Sequence, residues 1–300
     1  MNIDRSMVRN FLRIIHSSPF QIVRYALLII GTTSMAKVIQ EYFNLESESS
    51  LLILIALFFA YGILVKKKLH DHSIFWIFIT LFCGIYIVIN WPGPGNHTYV
   101  FLYLTMTVAV TLIGVKTYRL QVLQTNTKYI FLVIMFFAAW QKLITPIYMD
   151  GTINAFWIVN GGYYQPVYHF FNGWSEIVNE NYDQLNAYYN INSARTDAIY
   201  LQDPFENITF WGKMLSWLIL ASEIMVPGIF AFSRHSLVKH GALFIFILLV
   251  LITRLETGFL SLICIIGMAH SDQSDKYIRN TYLIIFGFLQ LLFILDYGYI

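Results

Sequence analysis

Charge is what this 300-residue chain has least of: Asp, Glu, Lys and Arg together make up 12% of it, against 57% hydrophobic residues. A soluble globule of this length needs more polar material to cover its surface, so a water-soluble fold is excluded and lipid must serve as solvent. Cysteine is nearly absent. Cys83 and Cys264 form no CxxC pair, which excludes a thioredoxin-like redox motif and a zinc knuckle, and they read as small core residues. A strong excess of either sign is also missing. The net charge of +2, spread over short loops, excludes the basic stripe of a nucleic-acid-binding surface.

Long apolar runs, in contrast, recur from one end to the other. Each is close to the roughly 20 residues that a helix needs to cross a hydrocarbon core. Apolar length read against charged, Pro and Gly breaks predicts spans at 20–40, 50–65, 74–91, 98–115, 128–145, 209–232, 241–269 and 279–297. The expected architecture is an all-α, polytopic transmembrane bundle of about eight spans, within a range of seven to nine, making one membrane domain over residues 1–300. The segment 241–269 is interrupted by Arg254, Glu256 and Gly258, and reads either as one tilted helix or as two shorter pieces.

Lys and Arg gather at the N-terminus, at Lys66-Lys67-Lys68, between Lys116 and Lys128, and between Arg234 and Lys239. These loops alternate with loops poor in Lys and Arg, so the positive-inside rule predicts a cytoplasmic N-terminus. Residues 1–19, with Arg5, Arg9 and Arg13 at a spacing of four, read as a basic amphipathic segment on the cytoplasmic membrane surface. Residues 146–208 are then the large exoplasmic loop. Its first part, 153–174, is an aromatic segment expected to lie in or dip into the interface. Its second, 175–208, is a polar cap. Abundant Ile, Asn, Lys and Tyr fit an AT-rich genome, hence a bacterial plasma membrane.

Ionisable groups within spans are costly and usually face the bundle interior. Rise per residue places Arg24 roughly 7 Å inside the cytoplasmic boundary, with Glu223 at nearly the same level. An Arg24–Glu223 structural ion pair is the expectation. Lys142, Lys37, Arg254 and Glu256 fall at a common outer level. For Lys142 two readings stand side by side: an amine that snorkels to the interface, or a desolvated base in a polar pocket with Arg254 and Glu256 as electrostatic neighbours. Pro146, at i+4 from Lys142, removes the normal helical partner of the Lys142 carbonyl. His169 is a candidate proton shuttle, and Trp157, Tyr163 and Tyr164 are candidate pocket-lining rings. The histidines lack ligand spacing, so no metal site is expected.

The stretch Phe137-Ala138-Ala139-Trp140-Gln141-Lys142-Leu143 with Asp150-Gly151, the stretch Glu223-Ile224-Met225-Val226-Pro227 before a basic turn, and Gly258-Phe259 resemble the membrane domain shared by vitamin K-dependent γ-carboxylase and bacterial HTTM proteins. That resemblance implies a membrane enzyme or maturation factor acting at the exoplasmic side on a quinone-like, lipidic or peptide substrate, with Lys142 as general base. In size the chain is nearer to bacterial relatives that mature secreted peptides. A secreted peptide or a membrane protein, together with the lipid bilayer, are the partners so implied. The family's histidine is replaced here by aliphatic residues such as Leu248 and Leu249. The alternative reading is a non-catalytic integral membrane subunit that scaffolds a partner or binds quinone.

Overall fold

In lipid a backbone N–H or C=O can be satisfied only within the protein, so a long apolar run has little choice but to become a helix. The computed structural model describes residues 18–42, 68–91, 95–162, 168, 173–190, 199–272 and 275–295. Among these residues there are eleven helices and no strand. They are α1 (Pro19–Tyr42), α2 (Ser73–Ile89), α3 (Asn96–Ile113), α4 (Arg119–Leu143), α5 (Pro146–Met149), α6 (Thr152–Val159), α7 (Trp174–Asn190), α8 (Ile208–Phe232), α9 (Ser236–Thr253), α10 (Thr257–Ala269) and α11 (Lys276–Ile294).

Among the described residues, four helical stretches are long and apolar enough to cross a membrane: Lys116–Leu143, α8, α9 and α11. Helices α2, α3 and α10 are apolar but shorter. The expected span at 50–65 and residues 1–17 of the basic segment 1–19 lie outside the described residues. The ambiguous segment 241–269 is two helices. Helix α9 ends at Thr253, three non-helical residues follow, and α10 begins at Thr257.

The chain divides into two compact units, residues 1–131 with 257–300, and residues 132–256. In the first, α10 is the core. Every residue from Leu260 to Ala269 is buried, as an all-round apolar helix requires. Its backbone comes close to α11, where a Cβ on Gly267 would fall into the Tyr282 ring. A buried polar relay joins three helices. The Thr33 hydroxyl of α1 donates to Gln290 Oε1 of α11 (2.9 Å), and Gln290 Nε2 donates to Ser261 Oγ of α10 (2.9 Å). Such a relay is stable only because each member is satisfied. Helices α2 and α3 form an antiparallel hairpin through Thr80–Thr105 and Cys83–Thr98. One end of this unit collects the N-termini of α1, α2 and α11 and with them Arg24, Lys68 and Lys276. At the same end Thr127, in the first third of α4, meets His270 just past α10 at 3.1 Å.

The second unit is organised by α8. Gly212, Leu215, Ser216, Leu220, Glu223, Val226, Pro227 and Phe230 follow the helical repeat and are buried. The opposite face exposes Phe210, Trp211, Met214, Trp217, Leu218, Ile224 and Met225, an apolar surface suited to lipid. Against the buried stripe lies the short α5–α6 hairpin, in near backbone contact. A Cβ on Gly212 would sit 2.5 Å from the Gly151 carbonyl oxygen, and Gly151 itself has φ +91°. Ser216 Oγ donates to the Tyr148 carbonyl (2.7 Å) and accepts from Asn154 Nδ2 (2.6 Å). Helix α7 is polar, and buried Asn181 ties it to the Val159 carbonyl of α6 (2.9 Å) and to both backbone groups of Gln202 (2.8 Å each).

Candidate functional site

The site is built where α4 ends. Pro146 cannot donate to the Lys142 carbonyl, and α4 gives way to a tighter turn. Thr145 N–H donates to the Lys142 carbonyl (3.3 Å), and the Thr145 hydroxyl donates to the Gln141 carbonyl (2.6 Å). The carbonyl expected to be free is therefore taken by Thr145. Pro146 then opens α5 at its first position, where a missing N–H costs nothing. Helix α5 brings the Tyr148 ring beneath Lys142, whose Nζ lies 5.5 Å from the ring centroid.

Lys142 Nζ donates to Glu223 Oε1 at 2.7 Å. Lys142 keeps 22% of its side chain exposed and Glu223 11%. Glu223 Oε2 is buried and accepts no hydrogen bond. The Arg24–Glu223 pair expected from depth is thus corrected. Arg24 Nη1 lies on Asp71 Oδ1 (2.5 Å) and donates to the His70 carbonyl (2.9 Å), while Glu223 belongs to Lys142. Lys142 was placed away from the Glu223 level because the end of α4 was equated with a membrane boundary. Glu223 lies eleven residues past Gly212 on α8, roughly 16 Å of rise beyond the contact with Gly151. The α4 terminus is therefore internal, and the chain from Pro146 onward continues past it.

Arg254 and Glu256 occupy the break after α9 and pair with each other at 3.0 Å. The Arg254 guanidinium also lies 5.6 Å from the centroid of the Trp157 ring of α6. Glu256 is near enough for its charge to act on Glu223. The second unit thus gathers two ion pairs and two aromatic rings: Lys142–Glu223 over Tyr148, and Arg254–Glu256 against Trp157. The side chain of Lys37 and residues Tyr163, Tyr164 and His169 lie outside the described residues. Among the described residues there is no group of three His, Cys, Asp or Glu side chains placed to hold a metal ion.

Sequence reasoning missed Tyr148, Ser216 and Gly212. Tyr148 carries no signal beyond its place after Pro146. The grouping of Glu223 with Ser216 and Gly212 was legible in principle, since spacings of seven and eleven put all three on one helical face. At the rim of this unit the exposed Asp150 carboxylate accepts the Thr152 N–H (2.9 Å). That hydrogen bond, helped by the charge of Lys213, holds Asp150 below the usual aspartate range. Compared with known protein families, curated proteins and solved structures, the chain matches none.

Proposed function

We propose that the chain is an integral membrane protein of the HTTM-like kind, a membrane enzyme or maturation factor in which Lys142 is the general base and Glu223 is its proton-holding partner. The observation that carries this reading is the part-buried Lys142–Glu223 hydrogen bond with one carboxylate oxygen left over. An ammonium that donates to a carboxylate has no lone pair with which to accept a proton. The proton must first move from Lys142 Nζ to Glu223 Oε1, a transfer that leaves both groups neutral and suits apolar surroundings. The freed amine then takes the proton of a weakly acidic substrate, and the new ammonium faces the substrate anion. Glu223 then gives its proton to water, which restores the ammonium–carboxylate pair. Arg254 and Glu256 set the local field, and the Trp157 ring offers a flat apolar surface to a quinone-like or lipidic ligand. With the basic loops inside, the site opens to the exoplasmic side.

The test is complementation of the phenotype lost when the gene is deleted, with membrane insertion checked for each variant. Lys142→Ala and Lys142→Arg should both fail, because guanidinium keeps the charge but is effectively never deprotonated. Glu223→Gln, which cannot hold the transferred proton, should fail as well. Full restoration by Lys142→Arg would end the base reading.

The second reading, a non-catalytic membrane subunit that scaffolds a partner or binds quinone, is favoured by the same pair seen differently. A lysine and a glutamate that neutralise each other at 2.7 Å are also what two helices need merely to pack. On that reading Lys142→Arg is tolerated.

A further inference from the structure

Arg279 stands in the first turn of α11 and is 3% exposed. Its Nε has no hydrogen-bond partner, and among the described residues no carboxylate pairs with it, although Asp272 and Asp275 precede the helix. Arg24, also deeply buried, is handled differently, since Asp71 neutralises it. A buried guanidinium without a counter-ion is costly and usually marks a missing partner.

The register of the helices locates it. Gly267 faces Tyr282 and Ser261 faces Gln290, so α10 and α11 run antiparallel, and Thr33 of α1 stands level with Gln290. Counting back from Gln290 and from Thr33 along their helices puts Arg279 within about 3 Å of the level of Arg24. That is the end where the N-termini of α1, α2 and α11 gather with Lys68 and Lys276. Arg279 stands one turn inside the α11 N-terminus, where no side chain caps the first N–H groups.

We infer that Arg279 and the first turn of α11 form a binding site for a phosphate-bearing anion, occupied in the membrane by the headgroup of an anionic phospholipid. The planar fork of arginine suits two phosphate oxygens, the N-terminal turn adds N–H donors and a favourable dipole, and basic pockets between helices at this depth take anionic headgroups.

The experiment is the thermal unfolding of the full chain in an uncharged detergent, titrated with phosphatidylglycerol, phosphatidylcholine or inorganic phosphate. Phosphatidylglycerol should raise the unfolding temperature and phosphatidylcholine should not. A rise with inorganic phosphate equal to that with phosphatidylglycerol assigns the site to the free anion. Arg279→Gln should weaken the apparent affinity for phosphatidylglycerol on the order of tenfold, and Arg279→Lys, which keeps charge but not the fork, by less. If Arg279→Gln does not accumulate, the lysine variant alone must show the weakened response. The proposal is overturned if phosphatidylcholine stabilises as well as phosphatidylglycerol, if no anion stabilises the chain, or if an Arg279 variant responds like the native protein.

Discussion

A buried charge is tolerated because of its partner, so the partner decides what a substitution costs. Lys142→Ala or Glu223→Leu alone strands the other charge in an apolar interior and should lower stability by about 3 kcal/mol. The double replacement Lys142→Met with Glu223→Leu should cost less than either single one. Denaturant unfolding of the four proteins in detergent, read as a double-mutant cycle, measures this. Asp150 gives a pH-dependent case. Its carboxylate titrates lower in the folded chain than in the unfolded one, so the stability it contributes is present above the unfolded value, about 4, and is lost as pH falls through the lower folded one. The difference in unfolding temperature between the native chain and Asp150→Asn should therefore be seen at neutral pH and should vanish on acidification. Which residues matter was partly legible from the sequence, because an ionisable group in an apolar run declares itself. Which residue each one meets was not. Rise per residue gives a level along a helix, but it does not say which helices adjoin, and so Arg24 was assigned to Glu223 and not to Asp71.

At the scale of elements, two glycines set the distance between the α5–α6 hairpin and α8. Gly212→Ala would press a methyl group against the Gly151 carbonyl, and Gly151→Ala would add both a clash and a left-handed φ. Each should lower stability by about 1–3 kcal/mol. Gly228→Ala on the same helix α8, where nothing lies within 4 Å of the added methyl, should be neutral or slightly stabilising and serves as the control. Thermal unfolding of the three variants in detergent tests this, and a neutral Gly212→Ala would remove the close packing from the account. The long helices were legible because apolar length alone forces them in lipid. The hairpin was not, because the eight mostly apolar residues of α6 are too few to carry a period that separates an interfacial segment from a packed one. The break at 254–256 was visible as an alternative only, since Arg254, Glu256 and Gly258 can also be carried by one tilted helix.

For the whole molecule, the gathering of basic residues at one end of the first unit predicts that this end faces the cytoplasm. The native cysteines are both buried, so single cysteines at exposed Tyr277 and Trp91 can be labelled against a low background. A membrane-impermeant maleimide applied to intact cells should label Trp91→Cys and spare Tyr277→Cys. The reverse pattern would place that end of the first unit on the exoplasmic side. The central claim is that Lys142 and Glu223 exchange a proton in the service of chemistry and do more than hold two helices together. Exchanging the two charges, Lys142→Glu with Glu223→Lys, tests it most directly. The exchanged protein should insert and resist unfolding nearly as well as the native chain, since the ion pair is restored, yet fail to complement the gene deletion, since the base now projects from α8 in place of α4. Full complementation by the exchanged pair would contradict the account and leave the two residues as a structural clasp.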